Sequence, residues 1–398
     1  MIDSTDKPAI CFVAPNAYAA LSGRHDLGHI GGSEVQQVMI ARELASRGFP
    51  VTFVTSDHGQ ADGIEHDGIR VFKTCGVSDG WPVIRFLHPR WTSLNRAMSC
   101  AGADVYYQRN AGAETGQVAW WSRIRRKRFI FAAASDTDCD RKLPYLRTSR
   151  ERMLFRYGIR RAARIVAQTE SQVRRFRSDF GVESILIRSC TRDPAGSSRA
   201  EQADRQTGRS RILWVGRFAR EKRPEMLLDL AAMCPEFDFH VVGAASGVSP
   251  YSDALLGRAR GLPNVTVHGR VPHEEVGRYY DRMALLLCTS AWEGYPNTFM
   301  EAWMRNMPTV STVDPDQVVA KNGLGGISET VEGLRHAIVA LVESKSHWQA
   351  CGRRAREFVV RNHGVAGAGD AYEQVIDDVL GRRVDQPDGM NVVYTEGG

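Results

Sequence analysis

The sequence predicts an α/β protein made of two doubly wound parallel-sheet domains, and three observations carry that reading. Short β-branched runs alternate with helical patterns along most of the chain, which is the signature of βαβ units. The 398 residues are too many for one ordinary core and suit two domains of roughly 150–200 residues. Between residues 191 and 210, TRDPAGSSRAEQADRQTGRS, apolar periodicity gives way to Asp, Gly, Ser and Arg, a linker composition. The predicted division is residues 1–190, a linker at 191–210, residues 211–370, and a closing helix with its tail at 371–398.

In the first half AICFVAP (9–15) reads as a strand, SEVQQVMIARELASRG (33–48) as a helix and VTFVTS (51–56) as the next strand. Ser33 is expected to cap that helix, with Gln36 completing a capping box. Val35, Val38, Met39 and Leu44 form its apolar side, and Gly48 stops it. Further strands are expected at 69–74, 103–109, 129–135 and 163–169. From Arg147 to Val166 the spacing predicts one helix, with Phe155, Ile159, Ala162 and Val166 on one side. Arg152, Arg156, Arg160 and Arg164 step round the other, a face suited to an anionic membrane surface or to plain solvent.

The second series begins at RILWVG (211–216) and a helix from Pro224 to Ala232. It continues through FHVVGA (239–244), NVTVHG (264–269), a helix at 273–282, ALLLCTS (284–290), a helix after Pro296 and PTVST (308–312). Helical patterns at 330–344, 346–361 and 370–381 finish it. The tail beyond 382 reads as poorly ordered.

Composition excludes several classes. No run approaches the ~20 apolar residues of a membrane span. The first residues, MIDSTDKPAICFVAPN, carry acids ahead of a short apolar run and do not read as a secretory leader. Eight cysteines without a C-x-x-C pair read as reduced core residues of a cytoplasmic protein. The net charge of +6 gathers in RIRRKR (123–128) and in 147–164. No zinc-finger, helix-turn-helix or RNA-binding pattern accompanies it, so no nucleic-acid partner is predicted. Nor is there a G-x-G-x-x-G dinucleotide fingerprint.

Ligands of open α/β sheets bind beyond the carboxyl ends of the strands, so the loops there hold the candidate residues. Gly31 and Gly32, in GHIGGSE (28–34), set bare backbone at a helix start, either as an anion site or as a simple turn. Gly216 ends a strand, and Arg217 and Lys222 follow it before the helix opened by Pro224. Two cations at such a turn suit a diphosphate, although a solvated basic loop reads the same way. In EGYPNTFME (293–301) the strand end places Glu293 at the sheet edge, and Pro296 and Asn297 mark a helix start, with Asn297 as cap. Glu301 falls one helical turn in, where an ordinary surface pair with Arg305 is the alternative. Met300, Trp303, Met304 and Met307 form the inward stripe. Carboxylates for hydroxyls beside cations for phosphates are what a sugar nucleotide requires.

V-G-R-F-x-x-E-K-R-P followed by E-G-Y-P-N-T-F-M-E-A resembles the retaining nucleotide-sugar glycosyltransferases of the GT-B fold, family four in particular. The G-G-S-E helix ending L-A-x-R-G and the stretch ARIVAQTESQVRRF (163–176) are similar to the same family. The resemblance implies two Rossmann-like domains facing each other across a cleft, with the last helix returning to the first domain. It implies that Arg217 and Lys222 bind the donor diphosphate, that Glu301 holds the ribose and that Glu293 faces the transferred hexose. Main-chain groups of Gly216, Tyr295, Pro296, Asn297 and Thr298 would contact sugar and phosphate, and Val271 the base. Gly31 and Gly32 would close on the donor from the other domain.

Partners implied are a nucleotide-sugar donor and a glycan or lipid-linked acceptor, in polysaccharide or glycoconjugate synthesis by a cytoplasmic, membrane-peripheral enzyme without metal or cofactor. Two departures stand out. Where relatives end a strand with His-Asp, this chain has Ser135-Asp136, which leaves open what Asp136 contacts. In SDTDCD (135–140) the alternating acids Asp136, Asp138 and Asp140 read as a metal site or, more simply, a solvated loop. STVDPDQVVAKNGLGG (311–326) stands where relatives carry glycines and a donor-contacting Glu. A silent sugar-nucleotide-binding module, or a GT-B epimerase or phosphorylase, are the alternatives.

Overall fold

A computed structural model describes residues 7–382 apart from 28–29, 77, 82–83, 195–208 and 246–248. Most of the expected linker and almost all of the expected tail therefore lie outside the described residues. The chain divides into two compact units, 1–190 with 365–398, and 191–364.

The first unit is wound around an eight-stranded sheet. Its strands are β1 (Ile10–Val13), β2 (Val51–Thr55), β3 (Ile64–His66), β4 (Ile69–Lys73), β5 (Val105–Arg109), β6 (Arg128–Ala132), β7 (Arg164–Ala167) and β8 (Ile185–Leu186). They lie in the order β3-β4-β2-β1-β5-β6-β7-β8, parallel except for the β3–β4 hairpin. The register pairs Ile10 with Val51 on one side and Val105 on the other. Helices α1 (Tyr18–Ser22), α2 (Gly32–Ser46), α3 (Thr92–Ala101), α4 (Ala113–Ile124), α5 (Ser149–Ile159) and α6 (Glu170–Arg175) cover both faces. All four residues of β1 are buried, with Ile10 and Phe12 in one core layer and Cys11 and Val13 in the other. That two-sided burial is why the central strands read as continuous apolar runs.

In the second unit six parallel strands, β9 (Arg211–Val215), β10 (Asp238–Val242), β11 (Val265–Gly269), β12 (Leu285–Cys288), β13 (Thr309–Ser311) and β14 (Gly325–Ile327), take the order β11-β10-β9-β12-β13-β14. Around them lie α7 (Pro224–Met233), α8 (Pro250–Arg260), α9 (His273–Tyr280), α10 (Asn297–Trp303), α11 (Val318–Asn322), α12 (Val331–Val342) and α13 (Lys345–His363). The expected inward stripe of Met300, Trp303, Met304 and Met307 is buried. The closing helix α14 (Val365–Leu380) belongs to the first unit, six residues earlier than the sequence division put it. Arg47, the C-cap of α2, anchors it through Asp370 (2.5 Å) and the Ala366 carbonyl (2.6 Å).

Three local expectations fail for tertiary reasons. Gly31, not Ser33, caps α2. The Ser33 hydroxyl instead accepts from Asn110 (2.8 Å), and Gln36 is drawn into the interior to pair with both main-chain groups of Cys190. Thr148 and Glu151 do form a capping box, at the start of α5. The single helix expected over 147–166 ends at Ile159, because the chain must turn through 160–163 to enter β7. Arg164 is thus a strand residue paired with Asp378 (2.7 Å). Arg152 and Arg156 donate to the Leu146 and Arg141 carbonyls, so the four arginines form no common stripe.

Helices α4 and α5 meet through glycine. A Cβ on Gly158 would stand 2.6 Å from the main-chain carbonyl of Thr115, and a backbone neighbour cannot swing aside. Gly158→Ala is therefore expected to destabilise the protein by about 1–3 kcal/mol, as overpacking does. Gly257→Ala in α8, where nothing lies within 4 Å, is expected to be neutral or stabilising by up to ~1 kcal/mol. Urea midpoints of the two variants test the contrast.

Candidate functional site

The candidate residues of the second unit gather at the carboxyl ends of β9 and β12. Gly216 follows β9, and its amide donates to the Val242 carbonyl at 3.0 Å. Gly243, beyond β10, has φ +152°, and a Cβ there would overlap the Gly216 carbonyl oxygen. The close approach of these two strand ends therefore requires glycine at 243. Arg217 comes next, then the buried Phe218 and a 3₁₀ turn over Arg220–Lys222. Arg223 takes a left-handed conformation (φ 44°) and hands the chain to α7.

That strained residue ties the two loops together. Its guanidinium donates to the carbonyls of Thr289 (2.8 Å) and Ser290 (3.0 Å), just past β12. The Thr289 hydroxyl donates to the Lys222 carbonyl (2.7 Å) and accepts from the Trp214 indole (3.0 Å). The Ala291 amide donates to the Glu221 carbonyl (2.8 Å).

Held this way, the Lys222 ammonium is hydrogen-bonded and ion-paired with Glu293, whose same oxygen also accepts from the Ser290 hydroxyl at 2.6 Å. Burial, the largest single influence, pulls the lysine pKa down, but the Glu293 charge, the Cys288 thiol and the hydrogen bond to Glu293 together outweigh it and hold the ammonium above the ordinary lysine value. The lysine is thus charged at neutral pH. Arg217 bonds Glu221 at 2.8 Å and keeps 40% of its side chain exposed, so it can meet a ligand from solvent.

Glu301 sits on the second turn of α10. The buried Tyr280 hydroxyl donates to its carboxylate at 2.7 Å. Burial, and then the Glu301 charge, push the Tyr280 pKa well above the ordinary phenol value, so it remains a donor. Arg305, the surface partner expected for Glu301, pairs with Asp281 at 3.0 Å and takes the Glu301 main-chain carbonyl. Pro296 rather than Asn297 caps α10, and the Phe299 amide is used by the Pro296 carbonyl. Helix α10 therefore opens one residue earlier than a cap at Asn297 would place it. Tyr295 turns its ring into the core, its centre 4.5 Å from that of the His363 ring. Val271 lies two residues past β11, half-buried against the core.

In the segment 311–326, Asp314 accepts from the Val319 and Ala320 amides of α11 at 2.8 and 3.0 Å, so its charge serves a helix start.

The first unit holds the other candidates. Gly31 and Gly32 are the cap and first residue of α2. Asp136 begins a 3₁₀ turn after β6 and accepts from Gln172 at 3.1 Å. The neighbouring acids do not converge on one point. Asp138 is buried and accepts from the amides of Ala111, Ala134 and Ser135, while Asp140 accepts from the Lys142 amide. No group of three or more potential metal-binding side chains is present among the described residues.

Sequence reasoning missed Arg223, Ser290 and Tyr280. Arg223 had a signal, a bulky residue directly before the helix-opening Pro224. Tyr280 had none, since its partner lies 21 positions away. It also missed a histidine pair at the sheet's edge, where His240 of β10 and His268 of β11 are 2.9 Å apart and Tyr279 packs on His268.

Two family models match this chain. "Glycosyl transferases group 1" matches residues 209–344, and "Glycosyl transferase 4-like domain" matches 31–188. The paired doubly wound units are those of GT-B glycosyltransferase structures. The sucrose-phosphate synthase of Thermosynechococcus elongatus aligns with TM-score 0.73 at 17% identity, over 94% of this chain and all of that one. Anabaena HepE, in complex with UDP and glucose, aligns with TM-score 0.74 at 16% identity, over 93% and 99%. An uncharacterized 41.2 kDa protein in the cps region of Klebsiella pneumoniae is 24% identical over 168 residues, 41% of this chain and 45% of that protein. The chain belongs to the group 1 glycosyl transferases of the GT-B fold.

Burial, and secondarily His268, push His240 down to about 4, and His268 is lowered too, again chiefly by burial. The unfolded chain therefore takes up protons below about pH 6.5 that the folded pair refuses. Stability is expected to fall as the pH drops from about 6.5 toward about 4. Melting temperatures across that window should fall less steeply in His268→Gln.

Proposed function

We propose that the protein is a retaining glycosyltransferase that takes a hexose-type sugar from a nucleoside-diphosphate donor. The sugar passes to a hydroxyl of a glycan, lipid-linked or small-molecule acceptor, in building polysaccharide or another glycoconjugate in the cytoplasm. One observation carries the reading. Lys222 and Glu293 form a charged pair beside Arg217, with Glu301 on the following helix, at the ligand edge of a parallel sheet. The UDP-glucose named in complex with Anabaena HepE is of the class such a site suits.

In this reading Arg217 and Lys222 take the diphosphate. Two fixed cations stabilise the charge that develops as the bond between the anomeric carbon and phosphate oxygen breaks. The arriving phosphate competes for Lys222 and frees Glu293 to accept from hexose hydroxyls, while Ser290 keeps that carboxylate in place. Glu301, oriented by Tyr280, accepts from the ribose hydroxyls. Main-chain groups of Gly216 and of residues 295–298 serve the phosphates and sugar, and Val271 serves the base. Gly31, Gly32 and Asp136 are the first unit's contributions to substrate binding. The acceptor oxygen attacks from the face the phosphate leaves, and its proton passes to a donor phosphate oxygen. The new bond joins the anomeric carbon to the acceptor oxygen with retention, and no step calls for a metal.

A thermal-shift comparison of UDP, GDP, ADP and their sugars identifies the donor, and turnover of that donor tests the chemistry. Arg217→Ala and Lys222→Ala are each expected to lower turnover by ~100-fold or more, the range of losing one preorganised charge-stabilising donor. Unchanged turnover in both would remove the assignment. Binding without any turnover would instead favour a silent sugar-nucleotide-binding module. Tyr280→Phe is expected to raise the donor KM several-fold with little change in kcat, since it loosens Glu301 without touching the reacting bond.

A further inference from the structure

The first unit exposes large apolar side chains that the proposed chemistry does not use. Ile84 and Leu87 are 54% and 64% exposed, Trp120 and Ile124 of α4 are 39% and 57%, and Met153 of α5 is 63%. They are joined by an aromatic chain. Phe86 meets Trp91 edge-on at 5.6 Å, Trp91 meets Trp120 at 5.5 Å, and the Arg150 guanidinium lies 3.7 Å from the Phe86 ring centre. The segment 84–91 is therefore fastened to α4 and to the first turn of α5, with Ile84 and Leu87 left to solvent. Isolated exposed apolar residues are ordinary, but several on one fastened surface mark a docking face.

The charges on the stretches that form it share one sign. The stretches 84–91, 117–128 and 141–150 contain no carboxylate. Arg85 and Arg90 flank Leu87, Arg150 covers Phe86, and Arg123, Arg125 and Arg126 surround Ile124. We propose that this face docks on an anionic lipid bilayer. Trp120, Ile84 and Leu87 enter the boundary between headgroups and acyl chains, where Trp is favoured, and the arginines meet the phosphates. A second copy of the chain fits less well, because a two-fold contact would set this basic face against itself. The surface replaces the expected stripe of Arg152, Arg156, Arg160 and Arg164 and does not depend on the transferase chemistry. No helix among the described residues is long and apolar enough to cross a membrane.

Flotation of the full chain with phosphatidylcholine vesicles, with and without phosphatidylglycerol, tests it. Binding is expected to require phosphatidylglycerol and to weaken with salt. The double variant Ile84→Ser, Leu87→Ser is expected to bind about tenfold less or weaker still, since it removes apolar burial. Arg123→Glu with Arg126→Glu should lose the dependence on anionic lipid. All these positions are exposed, and melting temperatures equal to that of the unaltered chain show that the variants are folded. Failure to float with anionic vesicles overturns the proposal, as does equal binding by folded variants. So does light scattering in which the apolar variant turns a dimer into a monomer while vesicle binding is unchanged.

Discussion

The second unit's sheet edge is organised around the charged contact between Lys222 and Glu293. A largely buried ammonium is tolerable only beside a carboxylate, and removing one partner of such a pair leaves an uncompensated charge. The two residues come from loops after non-consecutive strands, 71 positions apart. Their meeting requires those loops to be fixed to each other first. Arg223 does this with a guanidinium aimed at two carbonyls, and its left-handed backbone is the strain that lets it reach them. Thr289, Trp214 and the Ala291 amide complete the join. The charged pair is thus the outcome of a main-chain scaffold.

The first unit uses carboxylate and amide side chains in the same way. Asp138 receives main-chain amides from the loops after β5 and β6. Burial pushes its pKa up, while those amides and the Arg109 charge pull the other way. Gln36 performs the neutral version, satisfying both main-chain groups of Cys190 from inside α2. In each case a buried polar main chain that lacks a strand partner finds a side chain instead. This explains why residues resembling a metal loop and a helix cap turn out to be internal fasteners.

Much of the fold was legible in the sequence, because burial on both faces writes the central strands as apolar runs and helices as 3.6-residue patterns. Short strands such as Ile64–His66 and Gly325–Ile327 were not legible, having no run long enough to show a period. Helix ends were legible only where local chemistry decided them. Ser33 and Asn297 are good caps by type, yet Gly31 and Pro296 hold those positions. Of the candidate site, Lys222 and Glu293 stood out because cations and acids at strand ends have few local explanations. Their supports did not, since Ser290 and Tyr280 are ordinary residues for a strand end and a helix.

By itself the sequence determined the element types, the two-part division and the charged residues at the ligand edge. These depend on neighbours a few positions apart, whose side chains alternate or repeat with fixed geometry. Only the tertiary structure decided which charges meet. It gave Arg305 to Asp281 instead of the Glu301 carboxylate, Arg164 to Asp378 and Gln36 to Cys190. Coulomb and hydrogen-bond energies act across a few ångströms of space, and separation along the chain does not enter them.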